Sequence, residues 1–240
     1  MSLDLDTDAL GTWAKTHLPA MSGPIQATKF SGGQSNPTYC LDTPDGQFVL
    51  RRKPPGVLLK SAHAVDREFR VQKALANTDV PVPGMHALCE DDSVIGSAFY
   101  IMERVEGRNF DQPSLPNETP AGRGAIIDAM NLTLVAIHSV DIDAAGLSDY
   151  GPPGHYCQRQ TDRWTQQYRA TRTEEVLDMD ALIDWLQANM PADDGQRTLV
   201  HGDFRLDNLL YAPDAPQVAA VLDWELSTIG HPYADLAAVI

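Results

Sequence analysis

Cysteine is scarce in this chain: Cys40, Cys89 and Cys157 are the only three among 240 residues, they lie far apart, and none belongs to a CxxC pair. An odd, scattered set of thiols excludes a disulfide framework and a zinc knuckle and reads as three buried side chains. Positive charge is also short. Eighteen Lys and Arg stand against 33 Asp and Glu, a formal net charge of −15, so no basic stripe exists to neutralise a phosphate backbone. Nucleic acid and anionic membrane surfaces are thereby excluded as main partners. Long apolar runs are missing too: the longest, such as 218–222 and 236–240, fall far short of the roughly 20 residues that cross a bilayer. The start, Met-Ser-Leu-Asp-Leu-Asp, has neither the basic residues nor the apolar stretch of a signal peptide, and a cytoplasmic location is expected. There is no internal repeat or low-complexity tract, and oligomeric state is left open.

What is present is 43% hydrophobic residues, enough for a large core in one or two domains. Thr7 or Asp8 can cap a helix in which Leu10, Trp13, Ala14, His17 and Leu18 recur at i, i+3, i+4, i+7 and i+8, ended by Met-Ser-Gly-Pro at 21–24. Residues 25–30, 38–42 and 47–52 read as three strands of an antiparallel meander, parted by Gly32-Gly33 and a Pro-Asp-Gly turn. A helix over 62–77 follows, with Val65, Phe69, Gln72 and Ala76 on one face and Leu75 beside them, broken by Val-Pro-Val-Pro at 80–83. Residues 85–89 and 98–102 form a second strand pair around Glu90-Asp91-Asp92.

Beyond Gly107 the character changes. Pro113, Pro116 and Pro120 mark a loop, and Ile127, Met130, Leu134 and Ile137 lie on a helix stripe. Two more helices are expected near 157–170, with Trp164 and Tyr168 at i, i+4 read as core residues ahead of substrate-site candidates, and near 180–190. Short strands follow at 198–200, 209–211 and 218–222. The final apolar run, 234–240, carries no Gly, Lys or Arg stop signal, so the chain is expected to end inside a helix and to lack its natural C-terminal portion.

The chemistry concentrates in Leu199-Val-His-Gly-Asp-Phe-Arg-Leu-Asp-Asn208 and Val221-Leu-Asp-Trp-Glu225. One apolar strand delivers His201 and Asp203 into a polar loop, Asn208 follows five positions after Asp203, and a second strand delivers Asp223. Such a set suits phosphoryl transfer: one carboxylate orients and deprotonates a hydroxyl, while an amide oxygen and another carboxylate hold Mg²⁺ on nucleotide phosphates, magnesium preferring hard oxygen ligands.

These segments resemble the protein-kinase catalytic loop H-R-D-x-x-x-x-N, with Gly202 in place of Arg, and the D-F-G motif, with Asp223-Trp-Glu in its place. The His-Gly-Asp form is that of the aminoglycoside phosphotransferase family. The resemblance runs along nearly the whole chain. Phe30-Ser-Gly-Gly-Gln-Ser-Asn-Pro-Thr-Tyr39 stands where the nucleotide loop belongs, Phe48-Val-Leu-Arg51 matches the V-A-I-K strand, Glu68 stands mid-helix, and Phe99-Tyr-Ile-Met-Glu-Arg-Val-Glu-Gly107 reads like a hinge. Val49-Leu-Arg-Arg-Lys-Pro-Pro-Gly56, Ile137-His138 with Asp141, and Gln160 with Trp164 are similar to the subgroup that includes the kinase-like domain fused to some acyl-CoA dehydrogenases.

The resemblance implies an α+β bilobal protein-kinase-like fold: an antiparallel five-stranded N-lobe over 1–103 and a mainly helical C-lobe over 104–240, incomplete at its C-terminus. It implies a kinase using ATP and Mg²⁺ to phosphorylate a small-molecule hydroxyl, with a hydroxyacyl-CoA, an aminoglycoside or a choline-like alcohol as acceptor. Asp203 would be the base, Arg205 the contact to the transferred phosphate, and Asn208 and Asp223 the magnesium ligands. Arg51 would pair with Glu68 and reach the α/β-phosphates. Met102 would line the adenine pocket, with the backbone of Glu103 and Val105 on the adenine edge.

Two departures bear on this. The nucleotide loop has only Gly32-Gly33 instead of G-x-G-x-x-G, with Ser35 and Asn36 left to compensate, and Arg51 replaces the strand lysine, with Lys53 two positions on as a backup. They motivate a second reading, a catalytically weak nucleotide-binding regulatory module of the same fold. A metal-dependent hydrolase built on His201, Asp203 and Asp207 is a third. Several residues read more simply. His201 is expected to hydrogen-bond backbone around the loop, Asp235 to brace it, Asp207 to be solvated or capping, Glu225 to be structural or behind the magnesium site, and His138 to be a satisfied C-terminal histidine.

Overall fold

Asp6 starts the first helix. Its carboxylate accepts from Ala9 N at 2.9 Å, capping α1 (Thr7–His17) one residue earlier than the sequence pattern suggests. In the computed structural model, residues 5–30, 36–54 and 64–239 are described. The meander follows as β1 (Gln26–Lys29), β2 (Thr38–Thr43) and β3 (Gly46–Arg52), all antiparallel. Next come α2 (Val65–Leu75), β4 (Met85–Cys89) and β5 (Phe99–Glu103). β5 inserts between β3 and β4, so the five-stranded sheet runs β1-β2-β3-β5-β4.

Alternation along β3 decides what each residue meets. Leu50 packs with Leu10, Ala14, Leu41, Phe99 and Ile101 on the α1 side of the sheet. Val49 packs with Val65, Tyr100 and Met102 on the α2 side, and Arg51, two residues on, faces α2 as well. Every residue from Phe48 to Arg52 is buried because a helix covers each face.

The buried face of α2 differs from the one the periodicity suggests. Val65, Glu68, Val71, Gln72 and Leu75 are buried, whereas Ala76 is exposed and ends the helix. α2 is wedged between two layers: Val65 and Phe69 meet the sheet, while Val71 and Leu75 join the helical half's core with Phe204, Leu209, Tyr211 and Trp224. A helix buried on two sides has no single stripe to read.

The second half begins after the 104–107 connector. α3 (Pro120–His138) is capped by Thr119, whose side chain accepts from Gly122 N. Its inward stripe is Ile126, Met130, Thr133, Leu134 and Ile137; Ile127, expected inside, is 40% exposed. α4 (Tyr156–Thr171) has no fully buried residue and α5 (Leu177–Ala188) only Ile183. Trp164 is 56% exposed, which corrects its expected core placement. Two small antiparallel pairs complete the frame: β6 (Thr198–Val200) with β9 (Thr228–Gly230), and β7 (Leu209–Tyr211) with β8 (Val218–Val221). α6 (Tyr233–Val239) follows. No helix among the described residues is long and apolar enough to cross a membrane.

Candidate active site

β6 ends at Val200 and hands the chain to His201, which is fully buried. Asp235, at the start of α6 and fully buried, accepts from the backbone N–H groups of His201 and Gly202, both at 2.8 Å, and lies 3.0 Å from His138 Nε2. The acid braces the loop and the histidine at the end of α3 is satisfied by it. Gly202 is required here: its φ is +85°, and a Cβ would stand 2.6 Å from the Leu226 carbonyl oxygen.

The His201 ring faces the Leu222 carbonyl through Nε2 at 2.9 Å and takes the Asp203 N–H on Nδ1 at 3.3 Å. Only the neutral Nε2–H tautomer satisfies both, and burial holds the imidazole below its ordinary value. With both nitrogens engaged, the ring is not placed to ligate a metal, which removes the geometric basis of the hydrolase reading. Unfolded His201 takes up a proton near pH 6.5 and the folded ring resists it, so its contribution to stability is full above that value and is lost as pH falls below it. Thermal unfolding between pH 8 and 5 should show this slope in the native protein, and His201→Asn should flatten it.

Asp203 follows. Its Oδ2 accepts from Asn208 Nδ2 at 3.0 Å, and the same NH₂ reaches the Asp203 carbonyl at 2.8 Å. With the NH₂ so engaged, the Asn208 amide oxygen remains as the acceptor for a cation. Arg205 Nε lies 3.8 Å from Asp203 Oδ1 and 2.9 Å from Asp207 Oδ1, and Nη2 pairs closely with Asp207 Oδ2. Asp207 thus tethers Arg205 beside Asp203, and the pairing pulls its carboxyl below the usual range.

Asn208 and Asp223 are brought together by the backbone. Leu209 pairs with Val221 across β7 and β8, and Leu222 N–H donates to the Asn208 carbonyl at 2.8 Å. Asp223 then adopts a left-handed conformation, φ 62°, a strained backbone for a non-glycine residue of the kind that clusters at functional sites. Its carboxylate receives Arg51 Nη2 in a close ion pair. Arg51 Nε lies 2.9 Å from Glu68 Oε2, an ion pair whose N–H is not aimed at the oxygen, and Nη2 is 3.7 Å from Glu225 Oε2. Glu68, Asp223 and Glu225 each bring a carboxylate oxygen within 4.8 Å of the others.

Asn36 is fully buried and donates to Glu68 Oε1 at 2.8 Å and Glu225 Oε2 at 3.3 Å. The structure thus places it among these carboxylates. Tyr100 O–H donates to Glu68 Oε2 at 2.9 Å. Burial pushes the Glu68 carboxyl up, to about 7, against the opposing pull of Arg51, and the surrounding acids raise the Arg51 guanidinium against the cost of its burial. Sequence reasoning missed Tyr100, although its two-residue spacing from Met102 on β5 signals the same face.

The other residues singled out are scattered by comparison. Met102 is buried beside Val49 on β5. Glu103 is exposed; its N–H bonds the Gly84 carbonyl at 2.8 Å and its side chain takes the Gly84 N–H. Val105 is half-buried two residues on. Lys53 lies 3.8 Å from Asp66 rather than beside Glu68. Gly32, Gly33 and Ser35 lie outside the described residues.

A five-stranded sheet with a helix carrying its buried glutamate, joined by a short connector to a helical half that presents an Asp/Asn loop and a second Asp turn, is the kinase-like α+β fold. Residues 26–240 match the phosphotransferase enzyme family, and the chain belongs to it. It is 51% identical to acyl-CoA dehydrogenase family member 10 of Mus musculus, over 98% of this chain and 22% of that protein, so it spans about a fifth of that relative's length. The crystal structure of a putative aminoglycoside phosphotransferase from Ralstonia eutropha shares 52% identity and a TM-score of 0.86, over 97% of this chain and 68% of the other. The streptomycin–ATP ternary complex of APH(2″)-IIa shows the same fold at 19% identity, with a TM-score of 0.68 over 98% of this chain and 76% of the other.

Proposed function

We propose that this chain is an ATP- and Mg²⁺-dependent kinase that transfers the γ-phosphoryl group to the hydroxyl of a small molecule. The observation that carries the reading is the hydrogen-bonded line from Asp203 through Asn208 to the turn that presents Asp223. The donor set fits magnesium: a partly exposed carboxylate at Asp223 and the amide oxygen of Asn208 are hard oxygen ligands. Bound there, the ion would neutralise charge on the nucleotide phosphates.

Asp203, 37% exposed at its side chain, is open to an incoming alcohol, and Asn208 holds its other oxygen. The carboxylate orients the hydroxyl and takes its proton as the oxygen bonds to the γ-phosphorus; the bond from that phosphorus to the bridging oxygen breaks, and ADP departs. Arg205, tethered by Asp207, offers its charge to the moving phosphoryl group. Met102 and the connector at Glu103 and Val105 receive the adenine. The relative named as an acyl-CoA dehydrogenase points to a hydroxyacyl-CoA as first acceptor class, ahead of aminoglycosides and choline-like alcohols.

Arg51 on Asp223 favours one competing reading, a module that binds nucleotide without turnover. A coupled ADP-release screen over hydroxyacyl-CoAs, aminoglycosides, choline and sugars separates them. Acceptor-dependent ADP release is expected from at least one class; stabilisation by Mg·ATP with no turnover on any of them would favour the module.

A further inference from the structure

Three carboxylates from two parts of the chain close on one point: Glu68 from α2, and Asp223 and Glu225 from the turn after β8. Such a cluster ordinarily calls for a cation, and here the chain supplies one. The Arg51 guanidinium, on a side chain only 10% exposed, meets all three: Glu68 at 2.9 Å, Glu225 at 3.7 Å and Asp223 closer still. Asn36 ties Glu68 to Glu225 from the far side. One Asp223 carboxylate oxygen, Oδ1, is therefore already engaged by Arg51. A divalent ion arriving alone has to compete with a charge-assisted pair for this carboxylate, which costs more than displacing water.

We propose that Arg51 is the site's resident cation: it holds Asp223 while the nucleotide is absent and yields that carboxylate when phosphates draw the guanidinium away. Metal and nucleotide consequently bind together rather than metal first. This rests on the reading of Asp223 as a magnesium ligand. The geometry depends on arginine. Its side chain reaches Glu68 through Nε and Asp223 through Nη2 at once, whereas a lysine ends at the position of the guanidinium carbon, one bond short of Nη2. The lysine that stands here in the kinase motif would keep the Glu68 pair without holding Asp223 directly.

The test is calorimetric titration of Mg²⁺ into the protein, alone and with a non-hydrolysable ATP analogue, for the native chain, Arg51→Lys and Arg51→Met. In the native protein, Mg²⁺ alone should bind weakly and the analogue should tighten it strongly, with the same factor seen for the analogue when Mg²⁺ is added. Arg51→Lys keeps a cation among the carboxylates and therefore the fold. It should tighten Mg²⁺ alone by about tenfold, the worth of one charge-assisted hydrogen bond, and shrink the metal–nucleotide coupling by the same factor. Arg51→Met, measured below its own unfolding temperature, should tighten Mg²⁺ alone at least as much while weakening the analogue. If the native protein binds Mg²⁺ with the analogue but both variants keep its affinity for Mg²⁺ alone, the placeholder role is overturned and the kinase reading stands. If the native protein shows no Mg²⁺-dependent binding of the analogue, both fall.

Discussion

Asp203→Asn should lower phosphoryl transfer by about 10²- to 10⁴-fold, the range a positioned general base supplies, with nucleotide affinity nearly unchanged. The reason is local. An asparagine can still accept from Asn208 and keep its N–H on His201, so the loop retains its shape, but a neutral amide cannot take the proton of the attacking hydroxyl. Arg205 also stays in place, because Asp207 and not Asp203 makes its shortest contacts. Steady-state kinetics on the acceptor found by the screen, with binding of the non-hydrolysable ATP analogue measured in parallel, checks both halves. A variant that turns over like the native protein would remove Asp203 from the base role. A variant that loses nucleotide binding as well would make its part structural.

Arg51→Met should destabilise the protein by about 3 kcal/mol, the lower end for breaking a buried ion pair by removing one partner. The lower end applies because Asp223 and Glu225 keep side-chain exposures of 29% and 20%, so water screens part of their repulsion. Removing the guanidinium leaves three carboxylates facing one another around Asn36, with Glu68 almost wholly buried. For a chain of this size such a loss lowers the unfolding temperature by roughly 10 °C. The deficit should be smaller at acid pH. Glu68, already raised by burial to about 7 and relieved of Arg51's pull, takes up a proton, and with it goes the repulsion. A melting curve at pH 5.5 beside one at pH 8 reads this directly; an equal deficit at both would show that the loss is one of packing and not of charge.

Much of the fold is legible in the sequence because its signals are local. The five strands stand out by alternation and by turn residues at 44–46 and 90–92, and their observed spans lie within a residue or two of the pattern. α1 and α3 are equally plain. The misplacements have a common cause, that of shared burial. α2 is covered from two sides, so its apolar residues do not fall on one stripe, and Glu68 is buried only because the sheet and the helical half close over it. On α3 the choice between Ile126 and Ile127 is about 100° of rotation, which either stripe satisfies until Tyr211 and Phe204 arrive in the same core. Trp164 has the spacing of a core residue but stands on a helix none of whose residues is fully buried.

The site divides in the same way. His201, Asp203 and Asn208 lie within eight residues, and the chemistry they suit can be read from their types and spacing alone, since a strand end and a tight glycine turn leave them few places to point. The contact between Arg51 and Asp223 joins residues 172 apart. Only the folded chain decides it, because it needs β3 to aim the guanidinium at α2 and β8 to bring the strained Asp223 turn under that helix. Sequence by itself determined which groups are available for chemistry; tertiary structure decided which of them share charge, since burial and Coulombic pairing depend on distance through space and not along the chain.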